Sequence, residues 1–145
     1  MSTHLRERIE KIEELLERLA IQSTKGILIV VEGQKDVDTL RKLAISGEII
    51  AAKTRKSFLA MMTEIEKLEV EEVILLLDFD RRGREWTKRA TKYLEQTNVR
   101  PNIRFWQELR SLVSRDAKDI ESLLPYLHTL KKKSGDSQTI IESRL

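Results

Sequence analysis

The chain has 145 residues, 40% hydrophobic and 35% charged, enough apolar material for one domain with a real core but an unusually charged one. It holds no cysteine, which excludes disulfides, zinc ribbons, iron–sulfur clusters and thiol catalysis; no run approaches the ~18 apolar residues of a membrane span, and the N-terminus shows no apolar leader, so a soluble, cytoplasmic protein with no membrane partner is expected. The net charge is only +3, yet residues 81–104 carry eight Lys or Arg against two acids, a concentration suited to an anionic partner.

Many charges with few Asn and Met is also the pattern of hyperthermophile proteins, so a hot-living source is expected. In chain order, residues 4–20 predict an amphipathic helix, with Leu5, Ile9, Ile12, Leu16 and Leu19 along one face. Two heptads are short for a coiled coil, so this helix (residues 1–22 as a unit) is expected to pack on the domain. Its charged outer face leaves a protein partner or a homodimer open. After the break at 22–26, Ile27–Val31 runs continuously apolar, as a strand buried on both faces does. A helix carrying Val37, Leu40, Leu43 and Ala44 follows, with Asp36 as a candidate cap and Gly47 as its close. Residues 48–52 predict a short second strand, trailed by Lys53, Arg55 and Lys56. A helix starting near Ser57 and a third strand, Val73–Leu77, come next, then a helix over 82–97.

In that helix Trp86, Ala90, Tyr93 and Leu94 form the expected apolar face. Asn102–Trp106 predicts a fourth strand, 107–118 an irregular stretch, and 120–130 a last helix that Pro125 kinks or delays. The tail, 131–145, is expected to be weakly ordered. Alternating helices and continuously apolar strands give an α/β, three-layer Rossmann-like domain over about residues 25–130, with a mainly parallel four-stranded sheet.

Such sheets bind ligands beyond the carboxyl ends of their strands. Glu32 follows the first strand, and Asp78-Phe79-Asp80 follows the third. If the chain stays extended there, Asp78 and Asp80 leave on one face and Phe79 on the other. Clustered carboxylates resist joint ionisation without a cation or a proton. Mg²⁺, with Mn²⁺ as a substitute, suits an oxygen-only pair. The blander reading makes Glu32 a solvated loop acid and the aspartates caps of the helix beginning near Arg81. Lys53, Arg55, Lys56, Arg81, Arg82 and Arg84 lie on the same side of the sheet and would hold phosphates of RNA or DNA without reading sequence. The aromatic fraction is 5%, which gives little base stacking.

Val31-Glu32-Gly33-Gln34-Lys35-Asp36 resembles the E-G-x-x-D motif of TOPRIM domains, and Asp78-Phe79-Asp80-Arg81-Arg82-Gly83 resembles their D-x-D-x-x-G motif. The resemblance covers roughly residues 25–125 and looks like the small archaeal members of the family. It implies Glu32 as general acid/base in making or breaking phosphodiesters, Asp78 and Asp80 as Mg²⁺ ligands, and Gly33 and Gly83 as tight backbone turns beside the site. Lys118-Asp119 resembles a Lys-Asp pair of primase-like members.

The topoisomerase relatives need a nucleophilic tyrosine, whereas Tyr93 and Tyr126 here have apolar neighbours and read as packing residues. The sequence also lacks the second acid after strand one and the late lysine of a phosphoryl-accepting receiver domain. It lacks the D-x-D-x-T of a dehalogenase-type phosphatase, having Arg82 at the last place. His4 and His128 suggest no metal pair. The expectation is therefore a Mg²⁺-dependent nuclease or nucleotidyl-transfer core, the alternative being a non-catalytic module that binds nucleic acid or protein inside a larger complex.

Overall fold

The structure is a computed structural model and describes residues 3–55, 57–113 and 115–135. Helix α1 (Thr3–Thr24) is followed by β1 (Leu28–Val31), α2 (Gln34–Lys42), β2 (Ile49–Ala51), α3 (Phe58–Lys67), β3 (Glu72–Leu76), α4 (Arg81–Leu94), β4 (Arg100–Asn102), α5 (Arg104–Val113) and α6 (Leu123–Lys133). The four strands pair in parallel in the order β2-β1-β3-β4. The two most apolar runs therefore lie in the centre, where both faces are covered. Pro101, which has no N–H to give, falls on edge strand β4.

Side chains alternate across each strand, and this divides the core in two. Ile29, Val31, Ile74 and Leu76 face a layer built from α1, α2, α5 and α6. Leu28, Val30, Val73 and Leu75 face Met61, Met62 and Ile65 of α3 and Ala90 and Leu94 of α4. The three-layer α/β architecture is as expected. Helix α1 buries Ile9, Ile12, Leu15, Leu16 and Leu19 in the first of these cores, so its apolar stripe is consumed within the chain. No described helix is long and apolar enough to cross a membrane.

Several boundaries differ from expectation. The expected strand 102–106 and the first part of the expected irregular stretch 107–118 are instead the end of β4 and the ten-residue helix α5, while 115–118 are irregular as expected. Asn102 causes the switch: its side-chain oxygen accepts the Arg104 N–H at 3.0 Å and turns the chain into a helix. Phe105, Leu109 and Val113 then recur at helical spacing and are buried. Helix α1 runs on to Thr24, because no breaker occurs before Gly26, which takes φ +92. Helix α2 ends at Lys42, and Ala44 (φ 65), rather than Gly47, makes the left-handed exit.

At the C-terminal end α6 starts late, placing Pro125 in its first turn, where a missing N–H costs little. It continues three residues past the expected boundary at 130. Lys131 is buried there and pairs with Glu13 of α1 at 3.0 Å. The remainder of the expected tail, 136–145, lies outside the described residues.

Candidate metal centre

Strands β1 and β3 are neighbours, yet the chain leaves β1 toward β2 on one side and β3 toward β4 on the other. This is the switch point at which an α/β sheet opens a crevice beyond its carboxyl ends. Glu32 stands one residue past β1 and Asp78 two past β3, so both reach that crevice. Glu32 is only 8% exposed, and its Oε1 accepts the backbone N–H of Asp78 at 3.4 Å. Its own carbonyl accepts the Lys53 N–H at 2.8 Å, tying the end of β1 to the segment after β2.

Asp78 is half-buried and its carboxyl is pushed up to about 7. Burial is the largest cause; the charges of Glu32, Asp36 and Asp119 add to it, as does a side-chain hydrogen bond with Glu32. The backbone around Asp78 is held from three sides. Trp106 of α5 donates from Nε1 to the carbonyl of Leu77 at 2.9 Å and of Asp78 at 3.3 Å. The Phe79 N–H donates to the Lys118 carbonyl at 2.6 Å. Gly83, in the first turn of α4, lies against the Asp78 carbonyl.

Phe79 turns inward and is buried 6.4 Å from the Trp106 ring. Asp80 is exposed and caps α4, its Oδ1 accepting the Gly83 N–H at 2.8 Å. The capping role weighed against metal binding is thus present at Asp80, with one of its two oxygens engaged.

Three further acids join this end of the sheet. Asp36 sits in the first turn of α2 rather than at its cap, because the helix starts at Gln34 with Gly33 before it. Its Oδ2 accepts the Gly33 N–H at 3.0 Å and its Oδ1 accepts the Glu121 N–H at 2.9 Å. Burial, opposed by those two hydrogen bonds, leaves the Asp36 carboxyl above the usual range, with Asp119 and Glu121 adding to the rise. Asp119 accepts from the Ser122 N–H at 2.9 Å and its hydroxyl at 2.6 Å. Asp36, Asp119 and Glu121 offer carboxylate oxygens all within 4.8 Å of one another, an arrangement that could hold a metal ion. Sequence reasoning missed these three as a group. The available signals were the aspartate four residues after Glu32 and the Lys118-Asp119 pair.

The other expected site residues divide. Gly83 is needed, since a Cβ there would fall 1.9 Å from the Asp78 carbonyl oxygen. Gly33 is not a tight turn: it takes extended backbone (φ −136), and the nearest neighbour of an added Cβ is Lys53 Cδ at 3.8 Å. Lys53 is exposed with its stem beside Gly33. Arg55 is already paired with Glu64, through Nε at 3.1 Å and Nη2 at 2.5 Å, and this competes with a role in phosphate binding. Arg81 pairs with Glu85 at 3.2 Å on the surface, a contact that costs little to break. Arg82 and Arg84 are exposed, and no described acid pairs with either. Lys56 lies outside the described residues.

The Toprim domain pattern matches residues 27–107, which span β1 through the first turn of α5. The chain belongs to the Toprim domain family. Relatives of this Toprim protein include a UPF0292 protein of Methanosarcina acetivorans, 38% identical over 132 residues that make up 91% of this chain and 90% of the relative. Another, from Pyrococcus furiosus, is 39% identical over 136 residues, covering 90% of this chain and 98% of its own length. Both are small archaeal proteins, and the Toprim protein described here is of that archaeal type. Among solved structures, a protein from Aquifex aeolicus superposes with a TM-score of 0.63 over 75% of this chain and 94% of its own, at 24% identity, which bears on the fold alone. Toprim membership associates the chain with metal binding and nucleic-acid-related function, and the acidic cluster at the switch point suits a divalent cation.

Proposed function

We propose that this Toprim protein makes or breaks phosphodiester bonds in nucleic acid with a divalent metal, as a nuclease or a nucleotidyl-transfer core. One observation carries the reading. The switch-point crevice gathers the buried Glu32, an Asp78 that holds a proton near neutral pH, and the Asp36–Asp119–Glu121 group. Such crowding is unfavourable for folding, and a cation relieves it. The donors are carboxylate oxygens alone, a set that fits Mg²⁺ or Mn²⁺ and not a soft metal. Asp78 and Asp80 would hold the ion, with Asp36, Asp119 and Glu121 able to hold a second. When bound, the metal would neutralise charge on the phosphate and orient the attacking oxygen.

The chain's own groups perform the rest. Glu32 is the general acid/base: it is buried, it touches Asp78, and its neighbours keep a proton within reach at neutral pH. The amide that Glu32 accepts fixes its carboxylate relative to the end of β3. Lys53, Arg82 and Arg84 hold phosphates at the mouth of the crevice. Trp106 and Gly83 keep the Asp78 backbone in place.

The test is cleavage of labelled single- and double-stranded RNA and DNA by the purified chain with Mg²⁺ or Mn²⁺. Cleavage that disappears in both Asp78→Asn and Glu32→Gln is the expected result. A second reading, a binding module that works within a larger complex, draws support from Asp80 serving as a helix cap and Arg55 being paired internally. Tight binding without turnover under either metal would favour that module and sink catalysis by the isolated chain.

A further inference from the structure

Helix α4 carries a feature of which the acidic centre uses only the first residue, Arg82. Arg82, Trp86, Arg89 and Tyr93 follow one another at i, i+4, i+7 and i+11, which aligns them along one stripe. The buried face of the helix is the adjacent stripe of Gly83, Thr87, Ala90 and Leu94. Trp86 and Tyr93, expected in the apolar face, therefore border the core and remain half-exposed, while both arginines are exposed. Across the seam with α3, Phe58 meets Trp86 edge-on at 5.2 Å between ring centres and Tyr93 at 6.1 Å. The Arg89 guanidinium lies 3.9 Å over the Phe58 ring. The next residue, Leu59, is 59% exposed.

The position of this stripe has a direction. Helix α4 starts at the cap Asp80, so Trp86 stands ~9 Å and Tyr93 ~20 Å along the axis from the acidic centre. Phe58 opens α3, four residues after the short turn that begins beside Glu32. The end near the centre is positive, with Lys53, Arg82 and Arg84 exposed. The far end is negative: Glu66 adjoins the Tyr93 hydroxyl, and Glu69 and Glu71 line the cavity beyond it. A polyanion would be held along the stripe and stopped at its end.

We infer that the Arg82–Trp86–Arg89–Tyr93 stripe, with Phe58, is a binding track for one unpaired strand of nucleic acid leading to the acidic centre. The inference rests on the phosphodiester reading and adds the class of substrate. Aromatics are few, as the composition shows, but three of the seven gather here. Rings alternating with cations match a strand in which bases alternate with phosphates, and rings can stack only on bases free of a duplex. Trp, Tyr and Arg also suit a protein interface; the strand is favoured because cations alternate with rings along the helix and the positive end of the stripe adjoins the acidic centre. Filling the α3/α4 seam would call for buried rings and would not place guanidinium groups between them.

The experiment measures fluorescence anisotropy of the intact chain with labelled oligothymidylate, oligouridylate and a duplex, in EDTA at several salt concentrations. Single strands should bind more tightly than the duplex, and the thymidylate and uridylate arms distinguish DNA from RNA. Trp86→Leu should weaken single-strand binding about tenfold with the salt slope unchanged, as loss of one stacking platform does. Arg89→Gln should lower the salt slope by about one, with Arg89→Lys restoring it. Trp86→Phe, which keeps a ring, should bind like the parent and so separates stacking from misfolding. Equal affinity for the duplex, or unchanged binding in Trp86→Leu, would overturn the track. So would sedimentation showing a dimer that Trp86→Leu splits, since the stripe would then belong to a second copy. EDTA blocks metal-dependent cleavage, so binding on the track without later cleavage in Mg²⁺ counts against the phosphodiester reading alone.

Discussion

Gly83 and Asp78 are in contact through their backbones: a methyl group on Gly83 would sit 1.9 Å from the Asp78 carbonyl oxygen and 2.6 Å from its carbonyl carbon. The first turn of α4 thus presses directly on the residue that carries the acid of the centre. Nothing soft intervenes, so relief requires the backbone to move. Gly83→Ala is expected to destabilise the fold by about 1–3 kcal/mol, the usual range for overpacking. It should also weaken divalent-metal binding, because Asp78 shifts with its carbonyl. Urea unfolding and calorimetric titration with Mn²⁺ check the two effects. Gly33→Ala is the contrast: with compatible backbone and its nearest neighbour at 3.8 Å, it should be close to neutral.

Trp106 predicts a different signature. Its Nε1 is the donor that the Leu77 and Asp78 carbonyls share. Trp106→Phe keeps an aromatic ring in the core and removes only that donor and some volume. The cost to stability should be about 1–3 kcal/mol, that of leaving buried acceptors unsatisfied. Metal affinity should fall as well, since the strand end that presents Asp78 loses a tether. A variant that unfolds earlier in urea yet binds Mn²⁺ as tightly as the parent would show that Trp106 supports the core and does not position the acid.

The Asp78 carboxyl predicts a pH dependence whose sign runs opposite to the common one for carboxylates. In the fold it is held up to about 7, against 3.8 for an ordinary aspartate. Between those values the folded chain retains a proton that the unfolded chain has released. Its contribution to metal-free stability is therefore full below the lower value and is lost as pH rises through the upper one. A divalent cation replaces the proton, so the stabilisation by Mg²⁺ should grow over the same window. Thermal melts from about pH 5 to pH 8, with EDTA and with Mg²⁺, should diverge as pH rises. Asp78→Asn should flatten the difference between the two curves. A gap that is constant with pH would count against Asp78 as the group that the metal relieves.

The fold was legible where a residue's environment is announced by its neighbours in sequence. The continuous apolar runs of β1 and β3 marked the strands buried on both faces, and the acids just past them marked the crevice. The convergence of Glu32 and Asp78 depended on those strands pairing, which the structure shows. What stayed hidden is set at longer range or by a single side chain. Ile103 and Phe105 alternate as a strand would, whereas the Asn102 bond to Arg104 turns the chain and the buried Phe105, Leu109 and Val113 continue it as a helix. Asp36 meets Glu121 across 85 positions, so the aspartate after Glu32 and the Lys118-Asp119 pair, each visible locally, do not by themselves show that they form one acidic group. Arg55 reads as a free cation until Glu64, one element later, is seen beside it.

Asp36 gives the sharpest separation of structural from metal-binding roles. Its two oxygens accept the Gly33 and Glu121 N–H groups, so it joins the turn after β1 to the segment before α6. In Asp36→Asn one of those donors would face an amide NH₂, an unfavourable contact costing about 1–3 kcal/mol. The same change removes a buried charge that raises the Asp78 carboxyl and repels Asp119 and Glu121, which offsets that cost. The melting temperature in EDTA should therefore move little. The gain in melting temperature on adding Mg²⁺ or Mn²⁺ has no such compensation and should shrink, because a ligand oxygen and a negative charge are lost together. If the metal-induced gain stays at the parent value while the metal-free melt drops, Asp36 is a structural clasp and the Asp36–Asp119–Glu121 group holds no ion.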